Sequence, residues 1–136
     1  MVVAEWQRRL FIDQPVGVGF SYGRTTVGTS QEAAADVWKF LQIWFEDSRF
    51  RKYASREFGI WTVSYGGHYG PTFAACVPLT WYFSPLTASA YSYFLEKNDA
   101  IRCGTATGVH INLKVLGIGD GLTVLCSGMS FWPTGC

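Results

Sequence analysis

The chain has 136 residues, a formal net charge of +1, 15% charged residues, 49% hydrophobic residues and 17% aromatic residues. That length suits one domain with a real core rather than several. Near-neutral charge removes the electrostatic basis for nucleic acid or a polybasic membrane anchor, and the apolar content argues against intrinsic disorder. The charge is unevenly placed: residues 1–57 hold 15 of the 21 charged side chains, none lies between Glu57 and Glu96, and none follows Asp120.

The first residues carry Glu5, Arg8 and Arg9 with no apolar run, which is not the pattern of a secretory signal. Leu10, Phe11 and Ile12 form a short apolar run closed by Asp13, Gln14 and Pro15, and it reads as a buried strand. The glycines from Val16 to Gly23 do not give Gly-x-Gly-x-x-Gly, because Tyr22 occupies the last place. This is a tight structural loop rather than a phosphate cradle.

Thr29 and Glu32 form a capping box, and Ala34, Val37, Trp38, Leu41, Trp44 and Phe45 then recur at helical spacing. The spacing predicts an amphipathic helix over about residues 30–47. Its aromatic stripe reads as core packing, and the charged run from Glu46 to Glu57 reads as a solvated connection. Phe58 to Val63 is a second buried-strand candidate, running into Ser64, Tyr65, Gly66, Gly67 and His68. A third apolar run, Ile111 to Ile118, ends in Gly119, Asp120 and Gly121. Strands separated by helices predict an α/β fold with a mostly parallel open sheet and flanking helices. The uncharged stretch 58–95 holds too many glycines and prolines for a spanning helix.

Ser64 stands where a nucleophile would. A strand entering a sharp turn, with serine at its tip and a helix beyond, lifts the hydroxyl above the sheet edge. Such a turn needs small residues on both sides of the serine. Gly66 meets this on the far side, whereas Thr62 occupies the near side. The Tyr65 backbone N–H is a candidate oxyanion donor. Taken alone, this pattern leaves open an ordinary strand-to-loop turn. Cys76, Cys103, Cys126 and Cys136 contain no Cys-x-x-Cys pair, and only His68 and His110 could join them, so no metal or cofactor is expected.

Three blocks carry a family resemblance. Phe11 to Tyr22, with Asp13-Gln14-Pro15, resembles the Asp-Gln-Pro block of serine carboxypeptidases. Ser64 to Pro71 is similar to that family's nucleophile block, and Ile111 to Thr123 to its next strand and turn. The blocks occur in the family's order. The resemblance implies a partial α/β-hydrolase fold and release of C-terminal residues from peptides or proteins. It implies Ser64 as nucleophile, Tyr65 N–H as oxyanion donor, and Gly66 and Gly67 as elbow residues. It also implies a vacuolar, lysosomal or secreted location. The sequence is silent on oligomeric state.

The departures matter as much. Thr62 and Val63 replace the Gly-Glu that precedes the family's serine, and that glutamate helps bind the substrate's terminal carboxylate. Asp120 stands where asparagine is usual. The family's acid and base fall beyond residue 136, and its Asn-Gly-Gly-Pro-Gly loop lies upstream. His68 is expected to point down its helix away from the hydroxyl, and His110 to sit at the opposite end of its strand. The expectation is therefore a single incomplete domain, inactive as given. The alternatives are a non-catalytic binding or decoy fragment of the same fold, or an acyltransferase relative.

Two stretches match nothing in the family. Joining Ala75 directly to Tyr93 restores a string like the family's helix after the serine. Residues 76–92 thus read as an inserted segment, in frame as a retained intron would be. Residues 124–136 read as a non-family tail.

Overall fold

The structure is a computed structural model, and it describes residues 9–24, 27–74 and 92–122. The elements in chain order are α1 (Ser30–Glu46), a 3-10 turn (Arg51–Tyr53), β1 (Phe58–Val63), α2 (Gly66–Ala74), α3 (Tyr93–Arg102) and β2 (Leu113–Gly119). The inserted stretch except Ser92, and the tail, lie outside the described residues.

α1 begins where its sequence says. The Glu32 N–H donates to Thr29 Oγ1 at 3.2 Å, and the Glu32 carboxylate accepts from the N–H groups of Thr29 and Gly28 at 3.0 and 2.7 Å. These bonds satisfy donors that a helix start leaves open. They also hold the Glu32 carboxyl below its ordinary value, the Gly28 bond contributing most. At the other end, the Arg49 side chain forks onto Asp47 and brings that carboxyl down to about 2. Both groups bind protons less readily folded than unfolded. Their contribution is therefore complete above the unfolded values and is lost as pH falls through the folded ones. We expect helical circular dichroism to decline from about pH 4.5 downward, with the Asp47 part lost between 3.8 and about 2. Glu32→Gln should remove the upper part of that decline; an unchanged titration would disprove the assignment.

β1 and β2 pair in parallel, Phe58 beside Leu113 and Val63 beside Gly119, forming a two-stranded sheet. This parallel pair with helices beside it is the α/β arrangement anticipated from sequence. All three helices pack on one face. Ala33, Ala34, Val37, Trp38, Leu41 and Phe45 from α1 meet Phe73, Phe94 and Ile111, with Phe58, Ile60, Leu113 and Leu116 of the sheet against them. Aromatic contacts tie the layers: Trp38 meets Phe94 edge-on at 5.2 Å, and Phe73 stacks on Phe94 at 6.0 Å. Asn98, buried between α3 and the chain entering β2, accepts the Ile111 N–H at 2.9 Å and donates to its carbonyl at 2.7 Å.

Among the described residues the other face of the sheet is bare. Trp61 is 79% exposed and Val63 72%. The Trp61 ring covers Gly117 so closely that a Cβ there would collide with it.

Two expectations change. Leu10, Phe11 and Ile12 form no strand; Phe11 is 86% exposed, and only Ile12 packs against the core. Among the described residues no neighbouring strand pairs with this segment, so its backbone has no ladder to join. The charged run after α1 is more than a solvated link, because Phe50 and Tyr53 within it stack on Trp44 at 4.6 and 6.3 Å.

Candidate active site

Ser64 sits between the last residue of β1 and the first turn of α2, with φ at 57°. A side chain in the left-handed region costs about 1–2 kcal/mol, so neighbouring structure must hold it there. The Ser64 N–H donates to the Gly119 carbonyl at 3.2 Å, and the Ser64 carbonyl accepts the N–H of Gly67 at 2.9 Å and of Leu122 at 2.8 Å. The residues after β2 thus clamp the turn from one side and the first turn of α2 from the other. Asp120, in that clamp, also has positive φ, at 44°.

The glycines have separate reasons. A Cβ on Gly66 would collide with the Thr62 side chain, since the positions two before and two after the serine face each other across the turn. Threonine at 62 is accommodated because residue 66 has no side chain. Gly70 lies a turn further on, where a Cβ would come to 3.1 Å from Thr62 Oγ1. A Cβ on Gly67 would run into the Leu122 backbone.

The turn leaves Ser64 and Tyr65 exposed while Gly66 and Gly67 are buried. The Tyr65 N–H makes no hydrogen bond among the described residues. It stands at the start of α2, where backbone donors favour negative charge. The Tyr65 ring lies against those of His68, at 4.8 Å, and Tyr69, at 5.3 Å.

The sequence-derived partners are not brought to Ser64. Among the described residues its hydroxyl is hydrogen-bonded to no imidazole or carboxylate. His68 is one turn into α2, with Nε2 buried and without a partner. His110 precedes β2 and is exposed at the end of the sheet away from the turn, about 20 Å off at the rise of a strand. Asp13 accepts the Phe20 N–H at 2.9 Å and organises its own loop.

A groove of about 380 Å³ runs between Leu10, Ile12 and Gln14 on one wall and β1 on the other, reaching Tyr65, Gly66 and Tyr69. Gln14 of the Asp-Gln-Pro segment therefore lies beside the strand that leads into the serine. Sequence reasoning missed the role of Leu122. Its hold on the turn is made entirely by backbone atoms, and only the Gly119-Asp120-Gly121 run hinted at a tight approach there.

A serine at positive φ between a parallel strand and a helix defines an α/β protein of the hydrolase type. The serine carboxypeptidase family model matches residues 4–80. Carboxypeptidase S1 from Penicillium janthinellum is 41% identical over 112 residues, covering 82% of this chain and 22% of that protein. A carboxypeptidase Y homolog A from Paracoccidioides brasiliensis is 34% identical over 128 residues, covering 93% of this chain and 18% of that protein. The chain belongs to the serine carboxypeptidase family, and it spans about a fifth of the length of these relatives. No helix among the described residues is long and apolar enough to cross a membrane.

Proposed function

We propose that Ser64 is the nucleophile of a serine carboxypeptidase acting on peptide C-termini, and that these 136 residues alone do not turn over substrate. The observation that carries this reading is the Ser64 turn itself, held at positive φ by Gly119 and Leu122 with its hydroxyl exposed. In acyl transfer the Ser64 Oγ adds to the carbonyl carbon of the last peptide bond, its proton passes to a base and from it to the nitrogen of the departing amino acid as the C–N bond breaks, water later hydrolysing the acyl-serine, and the oxyanion takes hydrogen bonds. The Tyr65 N–H, without an acceptor among the described residues, suits holding the oxyanion. No described imidazole can take the proton, and serine without such a base is a weak nucleophile at neutral pH.

Val63 adds a qualification on substrate. It precedes the serine, points to the bare side of the sheet and has no polar atom. A hydrogen bond to the substrate's terminal carboxylate cannot come from this position, so we propose a weaker preference for a free C-terminus than a glutamate there would give.

A fluorophosphonate probe tests the first half. The chain alone should label far below stoichiometry. A chimera carrying residues 9–122 in the matching segment of the Penicillium janthinellum enzyme should label at Ser64 and release C-terminal residues. Ser64→Ala in the chimera should abolish labelling and cut turnover by about four orders of magnitude or more. Labelling that survives Ser64→Ala, or an inert chimera that is folded, would count against the nucleophile assignment; partner capture unaffected by Ser64→Ala would favour a binding role.

A further inference from the structure

α2 ends at Ala74 and α3 begins at Tyr93, so the chain treats them as two helices. Three observations join them. First, their facing ends touch: the Ser92 hydroxyl, buried, donates to the Phe73 carbonyl at 3.3 Å and accepts the Leu95 N–H at 3.3 Å. One side chain thus bridges the last open acceptors of α2 and the first open donors of α3, groups that an unbroken helix would pair with each other. Second, the Phe73 and Phe94 rings stack at 6.0 Å and 9°, continuing the Tyr69–Phe73 contact at 5.9 Å. Third, the buried and half-buried positions share one helical phase once 17 residues are taken out. Counted that way, Gly66, Gly70, Phe73, Phe94, Asn98 and Ile101 follow one another at steps of three or four, the spacing of a single helical face. The family match also ends at residue 80, inside the intervening stretch.

We infer that α2 and α3 are the two halves of one helix divided by an insertion of 17 residues, and that this fold does not need the insertion. Removing residues 76–92 lets Ala75 lead straight into Tyr93. The Phe73 carbonyl then meets the N–H four positions on, that of Phe94, as in any α-helix. The new helix carries the Ser64 turn at its start and the Asn98 bonds near its end. This concerns the architecture behind the site, and it stands whether or not Ser64 proves to be a nucleophile.

Helical phase supplies the test. Three deletions are compared with the full chain: 76–92, 77–92 and 75–92, which differ by one residue and hence by a rotation of about 100°. Deleting 76–92 should keep cooperative thermal unfolding and raise its midpoint by about 4 °C, because a 17-residue connection is removed and four helix ends become two. In hydrogen exchange, the Phe94 amide should slow at least tenfold. The other two deletions turn Phe94 and Asn98 out of the core, and their midpoints should fall by more than 10 °C or disappear. The inference is overturned if the 76–92 deletion is not the most stable of the four proteins, or if the Phe94 amide exchanges as fast as before. Either result would mean that α2 and α3 are separate helices needing the residues between them.

Discussion

Gly67→Ala should lower stability by about 3 kcal/mol, the upper end of what overpacking usually costs. The reason is what the new methyl group meets. At Gly66 it meets the Thr62 side chain, which can be removed: Thr62→Gly should recover most of what Gly66→Ala loses. At Gly67 it meets the Leu122 backbone, which is fixed by the N–H it gives to the Ser64 carbonyl. Relief requires breaking that bond and releasing the segment that holds Ser64 at φ 57°. Gly59→Ala is the control, since a Cβ there makes ordinary contact at 3.5 Å with Val115, and it should be nearly neutral. Urea midpoints for the variants decide the matter. If Gly67→Ala and Gly59→Ala cost the same, the clamp by the residues after β2 is not what fixes the turn.

Phe94→Ala should cost about 3–5 kcal/mol, the range for truncating a fully buried large side chain. Phe94 is 0% exposed and lies where all three helices converge, edge-on to Trp38 and stacked on Phe73. Its neighbours come from three elements that cannot move together to close the gap, so a cavity remains. A small domain is stable by only about 5–15 kcal/mol, so this one truncation should remove a large fraction of the total. Phe20→Ala, at a residue 94% exposed, should change stability by less than about 0.5 kcal/mol. Comparable losses from the two would mean that the core is not centred on Phe94.

The sequence made some of this legible and hid the rest for physical reasons. α1 was readable in full, because its cap, its apolar stripe and its stop are local signals within one segment. β1 and the serine turn were readable for the same reason, whereas the parallel sense of β2 followed from the helices that separate it from β1. The segment at Leu10, Phe11 and Ile12 was misread because a strand exists only with a partner, and pairing is not a property of five residues. The expectation of a buried strand over Phe58 to Val63 fails at Trp61 and Val63, because the run is apolar without alternation, the composition of a strand covered on both faces. Here only one face is covered, so the composition describes a surface that still wants a neighbour. Within the candidate site, Ser64 and Gly66 could be picked out from the requirements of a strained turn. The hold from Gly119 and Leu122 could not, because it depends on carbonyl and amide groups that every residue possesses.

The side of the sheet that the described residues leave open also bears on how the chain associates. Among the described residues β1 offers six positions without charge or proline, with one edge unpaired and Trp61 and Val63 facing water. Such a strand is a template for pairing with any other extended chain. Whatever lies against that strand therefore protects the fold from association as well as completing its core.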